Sequence, residues 1–546
     1  MLKNVLIFII ASLVCACGAK PEKVDLMILD ANIYTVDSAF SWASAMVIRD
    51  GKILETNSDE KILAKYNPIQ KIFLDGKTIV PGFIDAHCHF TGYATDLWKC
   101  NLVGTKSFKE VLEKVKSYSK NAPLLWIYGR GWDQNDWDKK EYPNNEILNE
   151  LFPNRPVFLK RIDGHAAIVN QKALELAGIS IKTKVKGGDI EIKNGKLTGL
   201  LIDNAMQLVD KIIPNISDSL AKVYLKQTEN ICFSYGLTGV HDCGVSESTI
   251  ELLDKLYKSN DLNMKVFALL SDENSYYNTW LKKGIYKTNH LTVGGFKVYA
   301  DGALGSRGAC LIHDYTDKKD WKGFLLSDGK HFEKIAERLS KSNFQMCTHA
   351  IGDSANRFIL KTYAQVLKGQ NNKRWRIEHA QVVNKKDINY FGENNIIPSV
   401  QPTHATSDMY WAMDRLGTER IKSAYAYKEL LLQNKKIALG TDFPVEDIST
   451  FKTFYASVVR KDAQGFPADG FQKENALSRE ETLKGMTIWA AYAAFEENEK
   501  GSLEKGKAAD FIVLDTDLMK CAEKDILNAK VLATYLNGKM VWHVNF

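Results

Sequence analysis

Short apolar runs with the length of buried strands recur along most of the chain. Eight of these runs are candidates for the strands of one sheet: 83–89, 239–243, 265–270, 295–299, 344–349, 376–379, 396–400 and 437–440. Apolar residues at helical spacing lie between most of the runs, as in 332–339. Strands that alternate with helices indicate an α/β fold with parallel strands, and eight such units predict a (β/α)8 barrel of the TIM type.

Both ends of the chain have a different pattern, in which short strand-like runs are joined by tight turns. Asp-Gly pairs at 50–51 and 75–76 and an Asn-Gly pair at 537–538 are turn signals of β-hairpins. Neither end holds enough strands for a core, so we expect the two ends to pair into one small β-sandwich. The predicted divisions are a sandwich from 24–80 and 496–546, and a barrel over 81–495 with an insertion at about 100–235.

The first residues have the pattern of an export signal. Lys3 precedes an apolar stretch at 5–14, which is too short to span a bilayer. The segment 14–17 then resembles a bacterial lipobox in which Cys17 receives a lipid, although Cys15 stands where Ala or Ser is commoner. We predict a lipoprotein signal over residues 1–17 and a lipid-anchored protein of the cell envelope, in the outer membrane facing the periplasm. A plain secretory signal is the alternative.

Composition and charge exclude several classes of protein. Of 546 residues, 45% are hydrophobic and 25% are charged, which is typical of a folded protein and excludes long-range disorder and a polytopic membrane protein. The net charge of +6 is too small for this length to indicate nucleic-acid binding, and no run of like charges concentrates it. Seven of the nine cysteines lie after the signal without paired spacing, and we expect free thiols.

Residues that can bind metal stand near the ends of the predicted strands. His87 and His89 close the first run, and side chains two apart in a strand point to the same side, so both can reach one ion. Taken singly, such residues have plain alternatives, because a histidine can belong to the core and an aspartate can cap a helix. A lysine within an apolar strand is unusual, since burial of its charge is costly unless it is paired or modified. The remaining candidates are Lys297, His349, His379 and Asp442.

In chain order these residues resemble the ligand set of the metal-dependent amidohydrolase superfamily. That set has His-x-His on the first strand, Lys on the fourth, His on the fifth and sixth, and Asp on the eighth. The surrounding motifs resemble the branch that contains N-substituted formamide deformylase and YtcJ-like proteins, and they lie at 301–309, 348–353, 376–380 and 440–445. The resemblance covers essentially the whole chain after the signal, including the split sandwich.

The resemblance implies a centre for one or two divalent metal ions, and imidazole and carboxylate ligands suit Zn²⁺ best, with Fe, Mn or Ni as alternatives. His87, His89 and Asp442 would bind the first metal, and His349 and His379 the second. Lys297 would be carboxylated by CO₂ and bridge the two metals; an unmodified lysine beside a single metal is the alternative. Asp442 would also be the catalytic residue, accepting a proton from the attacking water and passing it to the leaving nitrogen.

Four further residues are candidates for contact with the substrate or with a ligand. The motif at 163–165 resembles a substrate-pocket motif of the same branch, and His165 is the candidate within it. Arg307 and His404 follow predicted strands and are candidates for substrate contact, although a solvated loop arginine is the alternative for Arg307. Asp353 is the candidate for orienting a ligand histidine.

The leading functional hypothesis is a metal-dependent hydrolase of non-peptide C–N bonds in a small-molecule amide, either a linear amide or an N-formyl or N-acyl amine. A cyclic amidohydrolase or a deaminase would use the same metal centre and is the alternative among enzymes. A cell-envelope binding protein without catalysis is the third hypothesis, and the complete ligand set argues against it. The sequence leaves the oligomeric state open, with a homodimer among the options.

Overall fold

The computed structural model describes residues 21–122, 124–214 and 216–544. Its centre is a barrel in which each strand pairs in parallel with the next in chain order. The eight strands, β1 to β8, are Phe83–Cys88, Leu237–Val245, Lys265–Ser271, Leu291–Tyr299, Gln345–Ala350, Arg376–His379, Ile397–Val400 and Ala438–Leu439. The predicted α/β barrel is therefore confirmed, and each strand overlaps its predicted run.

The barrel closes through the residues that follow β8. The backbone N–H of Asp442 donates to the carbonyl of His87 at 2.8 Å, and that of His89 donates to the carbonyl of Phe443 at 2.9 Å. The segment after β8 is thereby fixed against the end of β1. Because all eight strands run in the same direction, their C-terminal residues meet at one mouth of the barrel.

Helices surround the strands and cover their outer side. In the helix Gly329–Ser340, Phe332, Ile335, Ala336 and Leu339 form one buried stripe, and Asp328 caps the first turn by accepting the N–H of His331. The barrel region contains the helices Phe90–Asp96, Asp218–Ser234, Glu247–Lys258, Asn274–Lys283, Gly329–Ser340, Asp353–Leu367, Asn389–Glu393, Pro402–Asp408, Ala412–Arg420, Tyr427–Asn434, Thr450–Val459, Arg479–Gly485 and Ile488–Ala493. Short 3₁₀ turns lie at Gln134–Asp136, Ile421–Ser423, Lys473–Asn475 and Glu523–Asn528, and a two-residue strand Tyr286–Lys287 pairs with β4.

The two ends of the chain form a second unit of two sheets, as expected. In the sheet that joins them, Phe511–Leu514 pairs antiparallel with Thr78–Pro81. The order of this six-stranded sheet is Lys539–His543, Val531–Leu536, Phe511–Leu514, Thr78–Pro81, Asn32–Tyr34 and Trp42–Ala43. The four-stranded sheet has the order Lys52–Asn57, Ala45–Arg49, Glu22–Leu29 and Tyr66–Phe73, with the helix Asp59–Lys65 beside it. Apolar residues from both ends share one core, for example Ile28, Ile79 and Phe511.

The long connection between β1 and β2 contains a third sheet. Its strands, in spatial order, are Gly188–Lys193, Lys196–Asp203, Ala166–Val169, Val157–Arg161, Ile127–Trp132 and Cys100–Asn101. Its helices are Phe108–Tyr118, Glu146–Leu151, Gln171–Leu176 and Gln207–Asp210. Arg130 of this unit donates to the carbonyl of Pro444 at 2.7 Å, just beyond β8. The insertion therefore lies against the mouth of the barrel.

Two smaller expectations concern the whole chain. The seven cysteines of the described residues are free thiols, and five of them are buried. Within the described ranges, no helix is both long enough and apolar enough to cross a membrane. The predicted lipid acceptor, Cys17, lies outside the described residues.

Candidate metal centre

His87 and His89 lie at the end of β1 and present one ring nitrogen each to the same carboxylate. The Nδ1 atom of His87 contacts Glu378 Oε2 at 2.6 Å, and that of His89 contacts the carbonyl of Cys243 at 3.0 Å. Their Nε2 atoms lie 3.6 Å and 3.2 Å from Asp442 Oδ1. The contacts of the Nδ1 atoms thus fix the orientation of both imidazole rings, and the Nε2 atoms face Asp442 at the mouth of the barrel.

Asp442 lies between two groups of histidines. Its second oxygen, Oδ2, is 3.4 Å from His404 Nε2 and 4.0 Å from His379 Nδ1. His379 Nδ1 also contacts Gln401 Oε1 at 2.7 Å, so a side chain at the end of β7 positions this ring. Asp442 and His379 both have left-handed backbone, with φ of 64° and 72°. Residues other than glycine seldom adopt this conformation, and it is concentrated at functional sites.

His349 lies next to His379, and His165 lies next to His349. The ring centroids of His349 and His379 are 4.6 Å apart, and those of His349 and His165 are 5.2 Å apart. The Nδ1 atom of His165 contacts Asp203 Oδ1 at 2.6 Å, so a carboxylate of the insertion orients this histidine. The insertion therefore contributes His165 to the mouth of the barrel.

Lys297 of β4 belongs to the same cluster and lies beside His87. It is buried, and its Nζ atom lies 3.0 Å from His87 Nε2. Burial disfavours its charge, but the neighbouring Cys243, Tyr299 and Glu378 side chains raise the pKa of Lys297 above its usual value. The structure thus brings together all six predicted metal ligands, on β1, β4, β5, β6 and the segment after β8.

The donor atoms fit a divalent metal. Two groups have ligand atoms within 4.8 Å of one another, His87–His89–Asp442 and His379–His404–Asp442. Among the described residues, the buried atoms His349 Nε2, His404 Nε2 and Asp442 Oδ1 have no hydrogen-bond partner. Buried polar atoms are normally paired, so these atoms fit a ligand that binds there. Ring nitrogens fixed on one side and free on the other are typical of metal-binding histidines.

The protonation states favour metal binding as well. Burial, together with the charge of Lys297, lowers the pKa of His87 to about 4. Burial also lowers the pKa values of His349 and His379 well below the usual range. These imidazoles are therefore neutral near pH 7, which is the form that binds metal. His404 differs: burial opposes its charge, but the adjacent Asp442 raises its pKa to about 9.

The carboxylate of Asp442 remains charged despite its burial. Burial alone would raise its pKa, but contacts with His404 and His89 and the nearby ring of His87 hold the pKa of Asp442 well below its usual range. A charged carboxylate that faces several histidine nitrogens can bind a metal ion and can accept a proton.

Two acidic residues that support the site were not singled out from the sequence. Glu378 lies on β6 between His87 and Arg376 Nε, which is 3.4 Å from its Oε1. Asp85 of β1 accepts hydrogen bonds from the N–H groups of His87 and Thr441 and from the Thr441 hydroxyl. Both are charged residues inside apolar strands, and this feature of the sequence could have identified them as part of the site. Burial raises the pKa of Asp85 to about 7.

The structure places two other candidates away from the histidines. Arg307 donates to Asp317 at 3.2 Å and 2.9 Å in the loop after β4. Asp353 begins the helix after β5, where its Oδ1 accepts the N–H of Ile312 at 2.9 Å. The carboxylate beside His349 is that of Asp301, whose Oδ1 lies 3.7 Å from Nε2. Asp301 also accepts the N–H groups of residues 310, 351 and 352, which fix the loop after β5.

Known proteins resemble this chain over most of its length. Residues 72–542 match the amidohydrolase family. The protein YtcJ of Bacillus subtilis (strain 168) is 29% identical over 520 residues, covering 93% of this chain and 98% of that protein. N-substituted formamide deformylase of Arthrobacter pascens is 28% identical over 535 residues, covering 94% and 97% of the two chains. The crystal structure of an uncharacterized metal-dependent hydrolase from Pyrococcus furiosus is 28% identical, has a TM-score of 0.71, and covers 91% of this chain and 100% of that chain.

The chain belongs to the amidohydrolase family. The barrel, the histidine and aspartate groups at its mouth and the likeness to a metal-dependent hydrolase agree with this assignment. The protein is therefore a hydrolase, and the family predicted from the sequence motifs is confirmed.

Proposed function

We propose that this protein hydrolyses non-peptide C–N bonds in linear amides, with N-formyl or N-acyl amines as substrates. The observation that carries the proposal is the arrangement of His87, His89 and Asp442 around one point, with Lys297 beside them. The relationship to N-substituted formamide deformylase supports an N-formyl amine as the first substrate to test. A small-molecule amide would enter through the mouth that the insertion partly covers.

In this proposal His87, His89 and Asp442 hold one divalent metal, and His349 and His379 hold a second. When bound, the metal supplies Lewis acidity, which polarises the scissile carbonyl and lowers the pKa of a water molecule. Imidazole and carboxylate donors suit Zn²⁺.

Lys297 is proposed to carry a carbamate. As an ammonium group, Lys297 donates a hydrogen bond to the lone pair of His87 Nε2. A metal ion would need that same lone pair. Reaction of the neutral amine with CO₂ forms an N–C bond and releases one proton. The product is an anion with two oxygens that can bind metal. This modification would remove the competing donor and add a ligand at the same position.

Asp442 is proposed to move the proton. Its carboxylate remains charged and is buried at the centre of the cluster. It can accept a proton from the attacking water and deliver it to the nitrogen as the C–N bond breaks. His165 and the protonated His404 lie on opposite sides of His349 and His379, where they can hydrogen-bond the substrate.

A substrate panel on metal-loaded protein tests the proposed function. Formate, carboxylate, primary amine and ammonia are measured for N-formyl amines, N-acyl amines, cyclic amides and amino-purines or amino-pyrimidines. We expect release of an amine together with formate or another carboxylate. Ammonia release from the ring amines would show a deaminase, and ring opening alone would show a cyclic amidohydrolase. Absence of turnover with every class in fully metal-loaded protein would favour a binding protein.

A further inference from the structure

A cavity of about 440 Å³ lies outside the histidine cluster, among loops on the same side of the barrel. Three separate segments line it: Asn135 of the insertion, Arg307 and Asp317 of the loop after β4, and Trp411 and Arg415 of the segment after β7. All three segments lie at the C-terminal side of the strands. In a barrel of this type that is where substrates bind.

The side chains that line the cavity carry more positive than negative charge: three cations, Lys140, Arg307 and Arg415, and two carboxylates, Asp317 and Asp414. The Asp317 carboxylate accepts two hydrogen bonds from Arg307, at 3.2 Å and 2.9 Å, and one from Arg415 Nη1. Two guanidinium groups thus share the Asp317 carboxylate, and the lining as a whole has a formal excess of one positive charge. Burial and the nearby Arg307 lower the pKa of Arg415 below its usual value, so its charge is poorly stabilised.

Two buried donors in this wall have no acceptor among the residues that the structure describes. They are Arg415 Nε and Asn135 Nδ2. Their residues are only 5% and 6% exposed, so bulk water does not solvate them freely. Arg415 Nη2 donates to Asn135 Oδ1 at 3.0 Å, so the two side chains that carry these donors are in direct contact. An unpaired buried donor is costly, and a charged one more so, unless a ligand supplies the acceptor.

We infer that this cavity binds a carboxylate of the substrate, held by Arg415 and Asn135, at the end remote from the scissile amide. A carboxylate accepts both free donors at once and neutralises the surplus charge. Trp411 stands beside these groups, with the Arg415 guanidinium 5.5 Å from its ring centroid, and offers an apolar wall to the carbon chain of the same molecule. The substrates are then N-formyl or N-acyl amines that carry a distant carboxylate. This inference rests on the proposed hydrolase function.

A chain of hydrogen bonds links the segment next to Asn135 to a histidine of the metal centre. Arg161 Nε donates to Gln134, the neighbour of Asn135, at 2.8 Å, and Arg161 Nη1 donates to Asp163 at 2.5 Å. Asp163 in turn accepts the N–H of His165 at 3.0 Å, and the His165 ring lies beside His349. These contacts fix the cavity wall relative to His165, so a substrate long enough to reach both places would be held at both of its ends.

The test compares matched substrates. A series from N-formyl-aminopropanoate to N-formyl-aminooctanoate is assayed beside the N-formyl amino alcohols of equal length, with metal-loaded wild-type enzyme. We expect kcat/KM for the best carboxylate to exceed that of its alcohol by roughly 10–100-fold, the effect of one charged hydrogen-bonded group. A ratio near one for substrates that are turned over would overturn the inference and leave the proposed function intact.

Two variants locate the effect. Asn135→Asp keeps the oxygen that holds Arg415 but replaces the free donor with a negative charge, so the fold should persist while the carboxylate substrate is repelled. Arg415→Met removes the cation. Both should bring the ratio of carboxylate to alcohol close to one. Lys422→Met is the matched control, because Lys422 follows the same helix and pairs at the surface with Glu419, and neither of these residues lines the cavity; it should keep the wild-type ratio. An unchanged ratio in Asn135→Asp contradicts the inference even if Arg415→Met fails to fold.

A binding measurement separates this inference from the proposed hydrolysis. Octanoate is titrated by calorimetry into wild-type protein and Asn135→Asp protein, both metal-loaded. If no formamide is hydrolysed but octanoate affinity falls at least tenfold in Asn135→Asp, the carboxylate site stands and the proposed reaction fails. Equal affinity in both proteins places the carboxylate elsewhere, for example on the metal, and refutes the cavity as its site.

Discussion

Replacement of Glu378 by glutamine tests whether the residues behind the histidines position the metal ligands. Glu378 is fully buried and contacts His87 Nδ1 at 2.6 Å on one side and Arg376 on the other. Its interactions with Arg376 and His87 hold its pKa well below the usual range, although burial opposes this. Glu378→Gln keeps the shape of the side chain and removes the charge.

The size of the effect follows from the contacts that remain. Removal of one partner from a buried ion pair costs about 3–5 kcal/mol. Arg376 keeps hydrogen bonds to the carbonyl of Ala86 at 3.1 Å and to Cys347 Sγ at 3.2 Å, so we expect the lower end, about 3 kcal/mol. The ring of His87 also loses its anionic partner, and loss of such a partner typically weakens metal binding about 10–100-fold.

The assay measures metal affinity and stability separately. Metal affinity is determined by competition with a chelator, and stability from the denaturant midpoint of metal-free protein. Glu497→Gln is the control: Glu497 forms a two-point ion pair with Arg374 at 2.8 Å and 2.7 Å, outside the metal centre. It should lower the midpoint without changing metal affinity. If Glu378→Gln also lowers only the midpoint and binds metal as tightly as wild type, then Glu378 does not position His87 for metal.

Four further predictions address the reaction, the metal count, the anchor and the pH dependence. Asp442→Asn should keep most of its metal but lose about 10²–10⁴-fold in kcat, because proton transfer fails; near-normal turnover with normal metal content would remove Asp442 from the mechanism. Lys297→Ala should lose at least one metal per chain relative to wild type loaded in the presence of CO₂, as measured by elemental analysis, and full retention would exclude a bridging carbamate. Cys17→Ser should move the protein from the membrane fraction to the soluble fraction, and a variant that stays with the membranes would show that Cys17 carries no anchor. Burial raises the pKa of Asp408 to about 7, so the folded state keeps a proton that the unfolded state has lost. The free energy of unfolding should therefore fall as pH rises through about 4 to 7. Asp408→Asn should flatten this slope in urea titrations, and a slope identical to that of wild type would contradict the pKa shift.

Much of the barrel could be predicted because each strand is a short apolar run with a distinct polar end. β6 agrees with its predicted range at both ends, and the other strands differ only by a few terminal residues. The pairing of the chain ends was also predictable, since neither end had enough strands for a core. The order of strands in the insertion was not, because it depends on pairings between distant segments, such as Lys196–Asp203 with Ala166–Val169.

The metal centre was more accessible to sequence reasoning than its surroundings. Histidines in a fixed order at strand ends carry a recognisable pattern, whereas Glu378 is one acidic residue beside a more conspicuous histidine. His404 was considered for substrate contact alone, but the structure places its Nε2 atom beside Asp442. The cavity proposed to bind a substrate carboxylate had no local signal, because Asn135 and Arg415 are 280 positions apart in the chain and meet only after folding.

The pairing of Phe511–Leu514 with Thr78–Pro81 also determines the order in which the protein can be completed during synthesis. The first strands of the small domain leave the ribosome early, but their partner strands are translated only after the whole barrel. Until then, the edge of Thr78–Pro81 that pairs with Phe511–Leu514 has no partner strand. The strand β1 starts two residues after Thr78–Pro81, so it is not yet held in place by that pairing. An exposed strand edge is a site of aggregation. A chain truncated before residue 511 should therefore be prone to self-association even though every metal ligand is present.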